Sequence, residues 1–161
     1  MIKLDTGTEL PESFVFTKEF KEIFEIINNT NSNLFITGKA GSGKSTLLEY
    51  FRQNTKKNYA ILAFQGIAAL KAKGQTIHSF FKFPPHFISE DDVDTLKDKE
   101  TIQKLDTILI DEISMVRADL FDAIDISLKK NRNNNQPFGG VQIVLFGDVM
   151  QIDPIVGKDD K

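Results

Sequence analysis

Residues 38 to 45 read Gly-Lys-Ala-Gly-Ser-Gly-Lys-Ser, a full match to the pattern G-x-x-x-x-G-K-[ST]. They follow an apolar run, Leu34 to Thr37, and precede a helical run that begins Thr-Leu-Leu-Glu-Tyr-Phe. A loop of this kind needs a strand to deliver it and a helix to leave it, because successive backbone N–H groups and the positive end of the helix must converge on phosphate oxygens. Gly41 and Gly43 let the backbone turn tightly enough to do so. Lys44 then brings a point charge to the β- and γ-phosphates, and Ser45 offers a hydroxyl to Mg²⁺. The expected nucleotide-binding residues are therefore Gly38, Ala40, Gly41, Ser42, Gly43, Lys44, Ser45 and Thr46. The alternative is a Gly-rich turn before a helix, but at about 7% glycine usage a chance match in this length is roughly one in two hundred.

The rest of the chain supplies a sheet for that loop. Tyr59 to Phe64, Thr107 to Ile110 and Val141 to Phe146 read as further buried strands, separated by helical patterns. Such alternation predicts parallel strands joined by crossover helices, an α/β domain. A first amphipathic helix is expected from about Lys18 to Ile27, with Thr17 as N-cap and Phe16, Phe20, Ile23, Phe24 and Ile27 at helical spacing. Between Phe83 and Lys104 the pattern weakens at Pro84 and Pro85 and an acidic stretch, so an exposed loop or short helix is expected. Asn131 to Gly140, rich in Asn with Pro and Gly, reads as a surface connection.

The strand Thr107 to Ile110 ends in Asp111 and Glu112. In a parallel sheet this places both carboxylates at the carboxyl edge, beside the phosphate loop. Asp111 is expected to hold Mg²⁺, through water, and Glu112 to orient and deprotonate the attacking water. Alone, two acids after a strand make only a solvated turn. A further strand-end cluster, Gly147-Asp148-Val149-Met150-Gln151, offers Gln151 as a neutral contact to the γ-phosphate, although a polar loop residue would look the same.

Composition narrows the remaining classes. The chain of 161 residues has no Cys and two His, which excludes disulfide frameworks, thiol nucleophiles and a dedicated zinc cage. No apolar run approaches the roughly 18 residues of a membrane span, and no signal peptide is read at the start, so a protein without membrane contact is expected, intracellular and cytoplasmic if bacterial. The net charge of −3 argues against a broad basic face, so any nucleic-acid contact must be local.

With these clusters in order, nearly the whole chain resembles the first motor domain of PIF-type (petite integration frequency) DNA helicases, the RecD-like branch of superfamily 1. The resemblance rests on FITGKAGSGKSTLL, AFQGIAALKAKGQTIHSFF, LIDEISMVRADLFDAID and FGDVMQIDPIV. It implies a single RecA-like domain over residues 1–161, a P-loop NTPase whose parallel sheet is flanked by helices in three layers. It also implies ATP as substrate with Mg²⁺, and catalytic roles for Lys44, Asp111, Glu112 and Gln151. Single-stranded DNA is the implied partner, lying along Gln65, Gly66, Thr76, His78, Ser79 and Phe80, with translocation 5′ to 3′ in repair, recombination or replication. Read without the resemblance, His78 is a structural histidine and Phe80, Phe81 and Phe83 are core or hinge packing.

The sequence departs from that pattern at named places. Phe20 stands where relatives carry a Gln that reads adenine, and Ala63-Phe64-Gln65-Gly66 lacks the small hydroxyl that relatives place against a DNA phosphate. The chain stops ten residues after Gln151, so a second RecA-like motor domain is expected to be missing from it. None of the three arginines, Arg52, Arg117 and Arg132, follows the last motif. Weak hydrolysis and no unwinding are expected of the chain alone. The competing expectations are a nucleotide-binding module without turnover and a P-loop small-molecule kinase, the latter having no need of Glu112.

Overall fold

The computed structural model describes residues 16–39, 41–97 and 99–148. The first helix, α1 (Lys18–Asn29), starts at Thr17, whose hydroxyl accepts from the Phe20 N–H at 3.1 Å. It is followed by β1 (Leu34–Thr37), α2 (Lys44–Asn54), β2 (Tyr59–Ala63) and α3 (Gly66–Lys71). Then come β3 (Gln75–Thr76), α4 (Ile77–Phe81), α5 (Lys99–Lys104), β4 (Thr107–Asp111), α6 (Ala118–Arg132) and β5 (Gln142–Gly147).

The five strands form one parallel sheet in the order β1-β5-β4-β2-β3. Period-two alternation along the strands feeds two cores. Leu62, Ile108, Ile110 and Ile143 face α4, α5 and α6, while Ile61, Leu109, Val144 and Phe146 face α1 and α2. The three-layer α/β expectation is thus met among the described residues. Each of these side chains, buried by helices on its face, contributes about 1.5–3 kcal/mol.

The register is what builds the site. Thr37 pairs with Gly147, and Ala63 pairs with both Asp111 and Thr76. The segments that leave the strands, at Gly38, Phe64, Glu112 and Asp148, therefore emerge along one edge.

Two expectations need correcting. The stretch from Phe83 to Lys104 does hold a short helix, α5, but it is not exposed throughout: Phe83, Ile88, Val93 and Ile102 are buried in the core beneath α6. Nor does the surface connection begin at Asn131. Helix α6 runs to Arg132, Asn131 is buried, and its side chain donates to Ser127 O at 2.8 Å and accepts from the Leu96 N–H at 2.8 Å. Arg132 donates to Ile102 O, Gln103 O, Leu105 O and Gly139 O at 2.6–3.0 Å. The turn starts two residues after Asn131, where Asn133 adopts a left-handed conformation (φ 50°).

Candidate functional site

Between the end of β1 and the start of α2 the chain makes a loop that Gly41 (φ 81°) and Gly43 (φ 91°) turn through the left-handed region. Gly38 packs so closely on Ser42 that a Cβ there would collide with the Ser42 hydroxyl. Because Gly43 gives α2 no side-chain cap, the first N–H groups of that helix keep their donors for an anion. Lys44 folds back on the loop, its Nζ donating to Gly38 O and, at 3.1 Å, to Lys39 O.

Across from the loop, β4 carries Asp111 to the sheet edge. Glu112 then breaks the strand in a left-handed conformation (φ 53°), and its N–H donates to Asp111 Oδ1 at 3.0 Å. A non-Gly residue held there stores strain of order 1–3 kcal/mol, a cost concentrated at functional sites. Burial pushes the Asp111 carboxyl above its ordinary range, an effect that the Glu112 N–H and the Lys44 charge oppose.

Loop and acids share one cavity of about 350 Å³, lined by Gly41 to Thr46, Asp111, Glu112, Gly147 and Asp148. Gly147 and Asp148 come from β5, the strand between β1 and β4. A Cβ at Gly147 would meet Ile113 Cγ2 at 2.7 Å, so the small residue lets β5 and the turn after β4 close together. Among the described residues the wall bears one cation, Lys44, against Asp111, Glu112 and Asp148. A triphosphate entering such a wall needs a divalent cation to offset its charge. Among the described residues no group of three or more His, Cys, Asp or Glu could hold a metal by themselves. Asp111 and the Ser45 hydroxyl are the groups of this wall that could take part in holding a divalent cation together with phosphate oxygens and water.

The expected site residues come together unevenly. Gly38, Gly41, Ser42, Gly43, Lys44, Ser45, Thr46, Asp111 and Glu112 all lie at the loop or its cavity. Ala40 and Gln151 lie outside the described residues. Asp148, to which the sequence gives no role, also lines the cavity, two residues beyond the run Val141 to Phe146 that reads as a buried strand.

The positions expected along DNA sit on the same sheet edge, one strand further on. Gln65 precedes α3 without capping it, and Gln65 and Gly66 are both exposed. Thr76 caps α4 by accepting from the Ser79 N–H at 3.2 Å, and Ser79 is exposed. His78 is half-buried, edge-on to Phe64 at 5.8 Å, and burial lowers its pKa, helped by Arg117 and opposed by Asp119. Phe80 packs against Phe81 and the α6-side core.

The chain's relatives agree with this geometry. Residues 15–161 match the family model of PIF1-like helicases. The ATP-dependent DNA helicase RRM3 of Saccharomyces cerevisiae is 36% identical over 159 residues, covering 91% of this chain and 22% of that protein. A crystal structure of Pif1 helicase from Bacteroides, in complex with ADP-AlF3 and single-stranded DNA, superposes with a TM-score of 0.85 at 39% identity, over 92% of this chain and 36% of that one. The Pif1 helicase of Candida albicans gives 0.79 at 32%, over 89% and 34%. The chain thus spans about a fifth of the curated relative's length and about a third of the solved chains. Among the described residues no helix is long and apolar enough to cross a membrane.

Proposed function

Because the chain belongs to the PIF1-like helicase family, we propose that it is the ATP-binding motor domain of a DNA helicase, one RecA-like domain over residues 1–161. The observation that carries this is the single cavity in which the β1–α2 loop, with Lys44 and Ser45, faces Asp111 and Glu112 from the end of β4. In this reading the loop N–H groups and Lys44 cradle the phosphates, and Ser45 and Asp111 hold Mg²⁺. Bound there by Ser45 and Asp111, the metal would offset the charge that develops on the transferring phosphate. Glu112, exposed at the cavity mouth, orients a water and takes its proton. Gln151 is assigned the γ-phosphate contact.

Single-stranded DNA is assigned to the neighbouring edge, with Gln65, Gly66, Thr76 and Ser79 reaching phosphates and His78 and Phe80 packing beneath, for 5′ to 3′ movement inside the cell. A second RecA-like motor domain would close over the nucleotide. Support for weak turnover by this chain alone comes from its arginines. Arg52 pairs with Glu49, Arg117 with Asp119, and Arg132 is held by main-chain carbonyls; none lines the phosphate cavity. An arginine finger is worth about 10³–10⁵ in rate.

Steady-state ATP hydrolysis by the chain, with Mg²⁺ or with excess chelator and with or without single-stranded oligonucleotide, tests the proposal. Slow turnover that needs Mg²⁺ and rises with the oligonucleotide is expected. Turnover that persists in chelator, or that transfers phosphate to an added small alcohol in place of water, would contradict it.

A further inference from the structure

Next to the phosphate cavity lies a second one of about 220 Å³, roughly seven times the ~30 Å³ share of a water molecule. The two cavities have Ser42, Gly43 and Lys44 in common, so a ligand with its phosphates on the loop can extend from one into the other. Its apolar wall is made by Phe20, Ile23, Ile36 and Leu47. The Phe20 ring is fixed edge-on to Phe16 at 5.3 Å and to Tyr50 at 5.6 Å, which makes it a rigid surface for a flat ring.

Among the described residues, the polar side chains around this cavity, Lys44 apart, are of two kinds. Thr17, Thr37 and Ser42 carry hydroxyls, and Glu19 carries a carboxylate. A hydroxyl rotates to donate or accept as its partner requires, and a carboxylate only accepts. Every nucleobase carries at least one N–H and one acceptor, so the hydroxyls serve any base, and Glu19, which is exposed, offers a carboxylate that any base can meet with an N–H. Reading the edge of adenine takes a fixed donor–acceptor pair, such as a side-chain amide, and among the described residues no Asn or Gln lines this cavity. An apolar slot without such a pair discriminates weakly, whereas a site built to hydrogen-bond its ligand rejects others by about 10⁴–10⁵.

We infer that this cavity is the base subsite and that it buries a nucleobase without reading it, so that the substrates are nucleoside triphosphates as a class and not ATP alone. The inference rests on the phosphate-loop reading proposed above, and its test separates the two. Affinities of the full chain for ATP, GTP, CTP, UTP and inorganic triphosphate are measured by calorimetry in Mg²⁺. All four nucleotides are expected to bind within about tenfold of one another and more tightly than inorganic triphosphate. In Phe20→Ala the four should weaken toward inorganic triphosphate, while inorganic triphosphate itself, which does not reach Phe20, keeps its affinity and reports an intact loop. A preference above tenfold for any one base in the wild type overturns the inference and leaves the phosphate-loop reading standing. Failure of every triphosphate, the inorganic one included, overturns both.

Discussion

The two ends of the sheet are built on opposite plans. At the amino end, Lys57 donates to Ile27 O and Gln142 Oε1, each at 2.8 Å, and to Thr30 O, closing α1 onto β5. Gln142 is satisfied on both sides, accepting also from the Thr107 hydroxyl and donating to Ser32 O at 2.8 Å. Arg132 ties α6 to carbonyls of α5 and to Leu105 O in the connection that leads into β4. At the carboxyl end the opposite holds: positive φ at Gly41, Gly43 and Glu112, a helix without a cap, and a carboxyl raised by burial. One end spends its polar groups on itself, and the other keeps them for a ligand. Changes at the carboxyl end should therefore alter binding and rate with little effect on stability, and changes at the amino end should do the reverse.

The largest effect that would sharpen this contrast is in rate. Glu112→Gln should lower single-turnover ATP hydrolysis by about 10²–10⁴, with a change in unfolding free energy within about 0.5 kcal/mol. Equal losses of rate and stability in that variant would erase the contrast. At the other end, Arg132→Ala should cost about 3 kcal/mol, since it strands several carbonyls that a charged donor now satisfies. At about 2–4 °C per kcal/mol this is a fall in Tm of roughly 6–12 °C, with the ATP affinity of the folded protein unchanged.

A smaller effect lies at the carboxyl edge itself, at His78 beside Phe64. Its folded pKa is below the ordinary 6.5 because the ring is partly buried and faces Arg117. The neutral ring's contribution is complete above pH 6.5 and is lost as pH falls through 6.5 toward the folded value. The Tm of the wild type should thus drop more than that of His78→Gln between pH 7.5 and 5.5. Parallel curves for the two proteins would mean that His78 carries no such penalty.

What the sequence made legible follows from which signals are local. The loop at 38–45, the strand ahead of it and the Asp111-Glu112 pair are each written in consecutive residues, and all fall where the pattern puts them. The placement of β5 between β1 and β4 is a long-range choice with no local trace, so Asp148 could not be assigned to the cavity wall. With only two residues, β3 is too short to show a period. Asn131 misleads for a different reason: Asn favours turns, but here its amide is buried to bond Ser127 and the Leu96 N–H. Phe83, Ile88 and Val93 reach the core from irregular backbone, where burial follows no period at all.

The central claim is that the carboxyl edge binds nucleotide through Lys44 on a scaffold held together elsewhere. Calorimetric titration of Mg-ATP into the wild type and Lys44→Ala, with Tm measured on both, tests it most directly. The account predicts at least a hundredfold weaker binding in Lys44→Ala, about 2.7 kcal/mol at 1.36 kcal/mol per tenfold, with Tm unchanged within about 2 °C. Equal affinities in the two proteins, or loss of binding only in step with loss of Tm, would contradict it.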